Sequence, residues 1–143
     1  MKRSEALTPL SRDHHQVLKL AKSLREATDV EAAANEFIEF WQPGGINHFR
    51  IEEEVLLPGS NLPGPGEDDL SVRMLHDHLD IRRRAATVLA GEATLSDLHE
   101  LGALLHDHTR FEERELFLAI ETNLSPEELD RLGEQINFAM ATS

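Results

Sequence analysis

The chain contains no cysteine and no tyrosine among its 143 residues. The absence of cysteine excludes disulfide bridges, thiol catalysis, and zinc or iron–sulfur sites that use thiolate ligands. The absence of tyrosine excludes tyrosyl-radical chemistry. A metal ion bound by this chain must therefore be held by imidazole and carboxylate groups, a donor set that suits iron, zinc, manganese or copper.

Basic residues and long apolar segments are also scarce. The chain has 14 Lys and Arg residues against 27 Asp and Glu residues, which gives a formal net charge of −13. This charge argues against binding to nucleic acid or to an anionic membrane, since both need basic patches. No segment approaches the roughly 20 apolar residues that cross a bilayer, and the start of the chain lacks an apolar signal segment. We therefore expect a cytoplasmic protein made of a single domain, residues 1–143.

Strand signals are missing from the sequence, whereas apolar residues recur every three or four positions along most of it. A first helix is predicted from Thr8-Pro9, with the threonine as N-cap, to about Thr28. Asp29 is expected to cap a second helix, which Pro43-Gly44-Gly45 interrupts and which then continues to Pro58. The interruption predicts either a kink or two short helices in line.

The middle of the chain contains a clear break before the helical pattern returns. Residues 58–66 are rich in proline and glycine and predict a loop. A third helix is expected from about Asp68 to Ala90, with Leu75 and His78 on its apolar face.

Two capping patterns mark the last helices. Thr94 with Asp97 resembles a capping box and opens a fourth helix that runs to about Thr122. Ser125-Pro126-Glu127-Glu128 opens a short fifth helix in the same way. The predicted fold class is therefore all-α, an up-down antiparallel four-helix bundle with a short fifth C-terminal helix.

Seven of the eight histidines fall in four clusters, one on each long helix. Two clusters carry a His-x-x-x-Glu pair and the other two carry an Asp-His pair: His48 and Glu52, His108 and Glu112, Asp13 and His14, Asp77 and His78. The chain thus resembles two helical hairpins, each of which supplies one Asp-His helix and one His-x-x-x-Glu helix. A shared site explains this clustering of histidines much better than chance placement does.

A pair of metal ions gives these residues a reason to lie in the bundle. Histidine and glutamate are poor choices for a buried helical seam unless something there needs them, and positions i and i+4 share one helix face. Both glutamates can meet near the bundle axis and bridge two ions, whose charges compensate the carboxylates. Open coordination positions would remain for solvent, an oxo bridge or dioxygen. Without metal, one of the two glutamates is expected to become protonated, because like charges repel.

Several features of the pattern have simpler interpretations. A single His-x-x-x-Glu pair is usually a solvated surface pair, and a lone His14 would more often be a core histidine. Most of the acidic run Glu52-Glu53-Glu54 is expected to be exposed. His15, His76 and His106 lie off the apolar faces and are second choices as ligands, whereas His14 continues the Leu10–Val17 face; His99 lies about two turns away.

Two segments resemble the signatures of the hemerythrin-like, HHE cation-binding domain: Leu10–His15 and Asn47–Pro58. The resemblance covers the first four helices. It implies an up-down four-helix bundle with two non-haem iron ions, oxo- or hydroxo-bridged, for which zinc or manganese could substitute. By matching positions it assigns four terminal ligands and two bridging ones: His14, His48, His78 and His108, then Glu52 and Glu112.

The resemblance also implies a class of function. Members of this family bind dioxygen, sense iron or oxygen, or act in nitrosative-stress and iron–sulfur repair responses. The expected partners are metal ions and dioxygen or another small diatomic molecule, and the expected role is metal and oxygen binding rather than dedicated enzymatic catalysis. The chain departs from the oxygen carriers, which have a fifth histidine from a His-x-x-x-His pair on the third helix; Met74 and Arg82 flank His78 at that spacing.

Two other hypotheses stay open at this point. A ferroxidase or peroxidase-like di-iron enzyme of the ferritin-like kind would use Glu-x-x-His, but none of the eight histidines has a glutamate three positions before it. A non-catalytic helical interaction module could hold zinc or no metal and bind a protein partner through its fifth helix and acidic surface.

Overall fold

The computed structural model describes residues 2–62 and 69–143. Within these ranges the chain is entirely helical and contains no strand. The helices are α1 (Thr8–Arg25), α2 (Val30–Phe40), α3 (Ile46–Ile51), α4 (Leu57–Gly59), α5 (Leu70–Leu89), α6 (Leu95–Phe111), α7 (Phe117–Asn123) and α8 (Pro126–Ala141). The prediction of an all-α fold is confirmed.

One kinked turn and two π-helical turns join some of these helices into longer rods. The turn Trp41–Gly45 links α2 to α3, the turn Glu52–Leu56 links α3 to α4, and the turn Glu112–Leu116 links α6 to α7. The described helices therefore form five rods: α1, α2–α4, α5, α6–α7 and α8. At the first turn Gln42 leaves the helical region, with φ −112° and ψ 110°, so the predicted interruption of the second helix is confirmed as a kink.

Polar caps fix the starts of several helices. The Asp29 carboxylate accepts two backbone N–H groups at the start of α2. Thr94 and Ser125 are the N-caps of α6 and α8, and each forms a reciprocal capping box with the carboxylate three residues later. These three predictions are confirmed, because local sequence alone determines this kind of contact.

The first helix differs from its prediction. A turn precedes it, so Leu7 is the N-cap, Thr8 already lies inside α1, and the Thr8 hydroxyl donates to the Ser4 carbonyl. The helix ends at Arg25 rather than near Thr28.

The segment around the predicted loop differs as well. The helix continues through Gly59, so the break begins at Ser60. Residues 63–66 of that loop and the predicted helix start at Asp68 lie outside the described residues. On α5 Met74 is buried, whereas Leu75 is 45% exposed. The prediction that Leu75 lies on the apolar face is therefore wrong, and the prediction that His78 lies there is confirmed.

The apolar core consists of two clusters at different levels of the bundle. One includes Leu24, Phe37 and Trp41, and the other includes Leu56 and Phe117. The second cluster also receives buried side chains from α8, which therefore packs against the bundle. None of the helices in the described ranges has the length and apolar character needed to cross a bilayer.

Between the two clusters lies a layer that is not apolar. On α1, Leu10 belongs to one cluster and Val17 to the other, and His14 lies between them. On α5, His78 lies between Met74 and Ile81 in the same way. The histidines thus lie at the boundary between the two apolar clusters.

Candidate metal centre

The six side chains predicted as metal ligands come together in this layer. They arrive from four different rods, and none is more than 4% exposed: His14, His48, Glu52, His78, His108 and Glu112. Periodicity explains the convergence, because each histidine continues the buried face of its own helix and each glutamate follows one turn later.

The six residues form two four-donor clusters that share both glutamates. In one cluster, Nε2 of His14 lies 2.9 Å from Oε1 of Glu112, and Nε2 of His48 lies 3.2 Å from Oε2 of Glu52. All donor atoms of a cluster lie within 4.8 Å of one another.

The second cluster uses the other oxygens of the same two carboxylates. Nε2 of His78 lies 3.2 Å from Oε1 of Glu52, and Nε2 of His108 lies 3.1 Å from Oε2 of Glu112. Each glutamate thus turns one oxygen toward each pair of histidines, which is the geometry of a carboxylate that bridges two cations.

Unpaired buried atoms test whether this site fits metal ions. Among the described residues, all four oxygens of Glu52 and Glu112 and the Nε2 atoms of His78 and His108 are buried and form no hydrogen bond of acceptable angle, although imidazole nitrogens lie 2.9–3.6 Å from the carboxylate oxygens. An orphaned buried polar group costs about 1–3 kcal/mol, so six of them need an explanation. Imidazole and carboxylate groups are suitable ligands for transition metals, and the residues therefore fit a pair of such ions.

The spacing of the donors agrees with this fit. Nitrogen-to-oxygen distances across the two clusters range from 2.9 to 3.6 Å. Metal–ligand bonds of about 2.1 Å place neighbouring donors roughly 3.0 Å apart in an octahedron and roughly 3.4 Å apart in a tetrahedron.

A comparison with known families gives one match. The model of the hemerythrin HHE cation binding domain matches residues 6–120. The chain belongs to this family. Comparison with curated proteins and with solved structures gives no match. The predicted family and the predicted hemerythrin-like bundle are both confirmed, and α8 lies beyond the matched segment.

Both shared glutamates of this hemerythrin HHE domain begin a π-helical turn. Glu52 opens the turn Glu52–Leu56, and Glu112 opens the turn Glu112–Leu116. Such turns are rare and occur frequently at functional sites, and here they recur at matching positions of the two hairpins. The sequence shows the repeat, since both turns start with two glutamates and end in leucine, but not the wider helical turn.

A ring of carboxylates orients the four histidines of the hemerythrin HHE domain. Each Nδ1 atom lies within hydrogen-bond distance of a carboxylate on another rod: His48 with Asp13 at 2.9 Å, His78 with Glu53 at 2.6 Å, His108 with Asp77 at 3.0 Å, and His14 with Glu113 at 2.6 Å. The carboxylate lies on the preceding rod for the first three and on the fourth rod, α6–α7, for His14. A histidine that donates its Nδ1–H in this way presents an unprotonated Nε2 to a metal ion. None of these four roles was predicted from the sequence, from which most of the run Glu52-Glu53-Glu54 was expected to be exposed.

The electrostatics of the metal-free site place protons on the histidines. Burial lowers the imidazole pKa, but the neighbouring carboxylates outweigh it and raise the pKa of His48 to about 9 and that of His78 to about 11. Burial and the charge of Glu112 act to raise the pKa of Glu52, yet the histidines lower it to about 2. The expectation that one glutamate would be protonated is therefore wrong, because four nearby imidazoles take up protons first.

The remaining histidines lie outside the centre. His15 and His76 are exposed, and His106 lies beside Asp107, with 3.1 Å between Nδ1 and the carboxylate oxygen. His99 donates through Nε2 to the Ala27 carbonyl at 2.8 Å, just beyond the end of α1. None of these second choices belongs to either donor cluster among the described residues.

Proposed function

We propose that this hemerythrin HHE domain holds two non-haem iron ions and binds dioxygen or a related diatomic molecule at them. The observation that carries the proposal is the pair of buried four-donor clusters that share both glutamates. His14 and His48 would hold one ion, and His78 and His108 the other. Glu52 and Glu112 would bridge them, and zinc or manganese could occupy the same donors.

The donor count supports a reactive rather than a purely structural site. Each ion would receive two imidazole nitrogens and one oxygen from each glutamate, which leaves positions open on an octahedral ion. Bound iron supplies the affinity for a diatomic molecule and the redox chemistry that such binding requires. The protein residues contribute burial and orientation: Phe49 stacks on His78 with ring centroids 3.9 Å apart, which holds that imidazole and excludes water from its face.

Such a centre suits a protein that binds or senses a small molecule, or that takes part in the response to iron, oxidative or nitrosative stress. A dedicated ferroxidase is less well supported, since its Glu-x-x-His pattern is missing from the sequence. The cytoplasm is the compartment that the sequence analysis predicts for this role.

Anaerobic reconstitution with iron(II) tests the metal part of the proposal. We expect two iron ions per chain by elemental analysis. His78→Ala should lose at least one ion, whereas the exposed His76→Ala on the same helix should keep both. Glu52→Ala and the exposed Glu54→Ala form a second matched pair. A wild-type protein that takes up no metal would overturn the proposal and favour an interaction module.

The diatomic part of the proposal needs a separate measurement. The iron-loaded protein should change its visible absorption when dioxygen or nitric oxide is added, and the His76→Ala control should respond in the same way. Two bound iron ions with no spectral response to either gas would contradict the diatomic role and leave a metal-binding domain.

A further inference from the structure

Two arginines bind the carboxylates that orient His14 and His78. On α5, Nη1 of Arg82 donates to Oε2 of Glu53 at 2.7 Å, and Nη2 donates to Oε1 at 3.2 Å. The same Oε2 lies 2.6 Å from Nδ1 of His78. Arginine, carboxylate and histidine therefore form one chain that ends at the metal centre.

The second chain begins in the segment before α1. Nη2 of Arg3 donates to the backbone carbonyl of Glu113 at 2.6 Å and lies 3.5 Å from its Oε1. Nη1 of Arg3 donates to Glu121 at 2.7 Å. Oε2 of Glu113 lies 2.6 Å from Nδ1 of His14 and also accepts the Ser11 hydroxyl. The N-terminal segment is thus linked to the centre through a single carboxylate.

An aromatic ring completes each arrangement. Phe49 stacks on His78, and the Arg82 guanidinium lies 5.8 Å from the Phe49 ring centroid. Phe117 stacks on His14 with centroids 5.3 Å apart. The Arg3 guanidinium lies 5.5 Å from the Phe117 centroid. Both distances are within the range of a cation–π contact.

The internal repeat does not account for this likeness. His78 follows His14 by 64 positions, and the same shift places Leu18 where Arg82 would be expected. His108 follows His48 by 60 positions, a shift that places Thr109 opposite Phe49. The repeat relates His14 to His78 and Glu53 to Glu113. The arginine and the aromatic ring, however, are supplied each time from positions that the repeat does not relate, which indicates that they serve the site.

We propose that Arg3 and Arg82 are positioning residues of the metal centre, an inference that rests on the proposed metal binding. Each guanidinium holds its glutamate in place, so that the carboxylate accepts the Nδ1–H of His14 or His78 and directs Nε2 to the ion. Within the described residues, Asp13 and Asp77 lack any such arginine or lysine. Arg3 also lies outside the segment that matches the family, residues 6–120.

Titration of the metal-free protein with cobalt(II) and zinc(II), in competition with a chromogenic chelator, tests the proposal. Arg3→Ala and Arg82→Ala should each weaken one of the two ions on the order of tenfold, the low end for loss of a group that orients a ligand. Arg84→Ala is the matched control, since Arg84 lies on the same helix and, in the part of the chain that the structure describes, binds Asp80 and Glu100 and no group of the metal centre. Its two affinities should stay within about twofold of the wild type.

Further variants separate positioning from a purely structural role. Arg82→Lys retains the positive charge but cannot donate two parallel hydrogen bonds to the Glu53 carboxylate. Its metal affinity and its cobalt(II) absorption spectrum should therefore lie between those of wild type and Arg82→Ala. A structural role would lower the melting temperature of the metal-free protein without altering the cobalt(II) spectrum.

The possible outcomes distinguish this inference from the proposed function. A wild-type protein that binds neither metal overturns the metal site itself. A wild type that binds two ions, with unchanged affinities and cobalt(II) spectra in Arg3→Ala and Arg82→Ala, overturns only the positioning role. If Arg3→Ala does not fold, the Arg82 variants and the Arg84 control decide the question.

Discussion

Metal uptake by this centre should release protons, because the imidazoles that would bind the ions are protonated in the metal-free protein. Burial opposes their charge, but the surrounding carboxylates raise the pKa of His48 to about 9 and that of His78 to about 11. The pKa values of His14 and His108 are raised as well, again against burial, with Glu112 the largest single source of that increase.

The size of the effect follows from the ligand count. At pH 7 His48 and His78 should be mainly imidazolium, and each must lose its Nε2 proton before it can bind a metal ion. Two ions should thus displace at least about two protons, or about one per ion, and the affinity for each ion should rise at least about tenfold per pH unit in this range.

The stability of the metal-free protein should fall as the pH rises above about 6.5, whereas its affinity for metal ions should increase. A raised histidine pKa contributes stability that is complete below the ordinary value of 6.5 and is lost as the pH rises through about 9 for His48 and about 11 for His78. The lowered pKa of Glu52 contributes stability that is complete above 4.5 and is lost toward about 2. The charged groups of the site should therefore stabilise the metal-free fold most between about pH 4.5 and 6.5.

Calorimetric titration with zinc(II) at pH 7 measures the proton release directly. The titration is run in two buffers with different ionisation enthalpies, with His76→Ala as a control that should release the same number. Thermal melts of the metal-free protein between pH 5 and 10 provide an independent check, since the melting temperature should fall across the upper part of that interval. Release of one proton or none per two ions would show that the histidines are neutral and refute the electrostatic reasoning.

Three further predictions concern stability. Chelation of the metal-loaded protein should lower its melting temperature by about 10–20 °C, because two sites loaded at about a hundredfold above Kd contribute about 5 kcal/mol; an unchanged melting temperature would contradict the buried site. Gly102→Ala should destabilise the fold by about 1–3 kcal/mol in urea unfolding, since the added Cβ would lie 2.8 Å from the Ala21 carbonyl oxygen. Gly44→Ala should have a smaller effect, because a Cβ at Gly44 would have no atom within 4 Å. Equal effects would be inconsistent with that packing. Ser125→Ala should cost about 1 kcal/mol through loss of the α8 cap, measured in the same way, and no loss would argue against the cap.

The residues at the centre were predictable because their signal is periodic. His14 continues a face that Leu10 and Val17 already define, and a glutamate four positions after a histidine must share its helix face. Helix caps are local for the same reason, so Asp29 and Ser125 could be assigned without knowledge of the packing. These features depend only on residues within about one or two turns of each other.

The surroundings of the centre depend on contacts that a local pattern does not contain. Glu53 follows Glu52 directly and so points to another side of the helix, and no local pattern relates it to a histidine. It contacts His78 only because α5 lies beside it. Arg3 reaches a residue 110 positions away. The predicted protonation of a glutamate considered the two carboxylates alone and left out the four imidazoles that lie between them.

The two proposed ions would have the same protein donors, two imidazoles and one oxygen from each of the two glutamates. Any difference between their affinities must therefore come from the surroundings and not from the ligands. Those surroundings are unequal: the Asp13 side chain that orients His48 is 43% exposed, whereas the Asp77 side chain that orients His108 is 18% exposed. Water competes more strongly for an exposed carboxylate, so His48 is held less firmly than His108. The repeat in the sequence thus specifies two equivalent ligand sets, and the tertiary contacts around them make the two sites distinct.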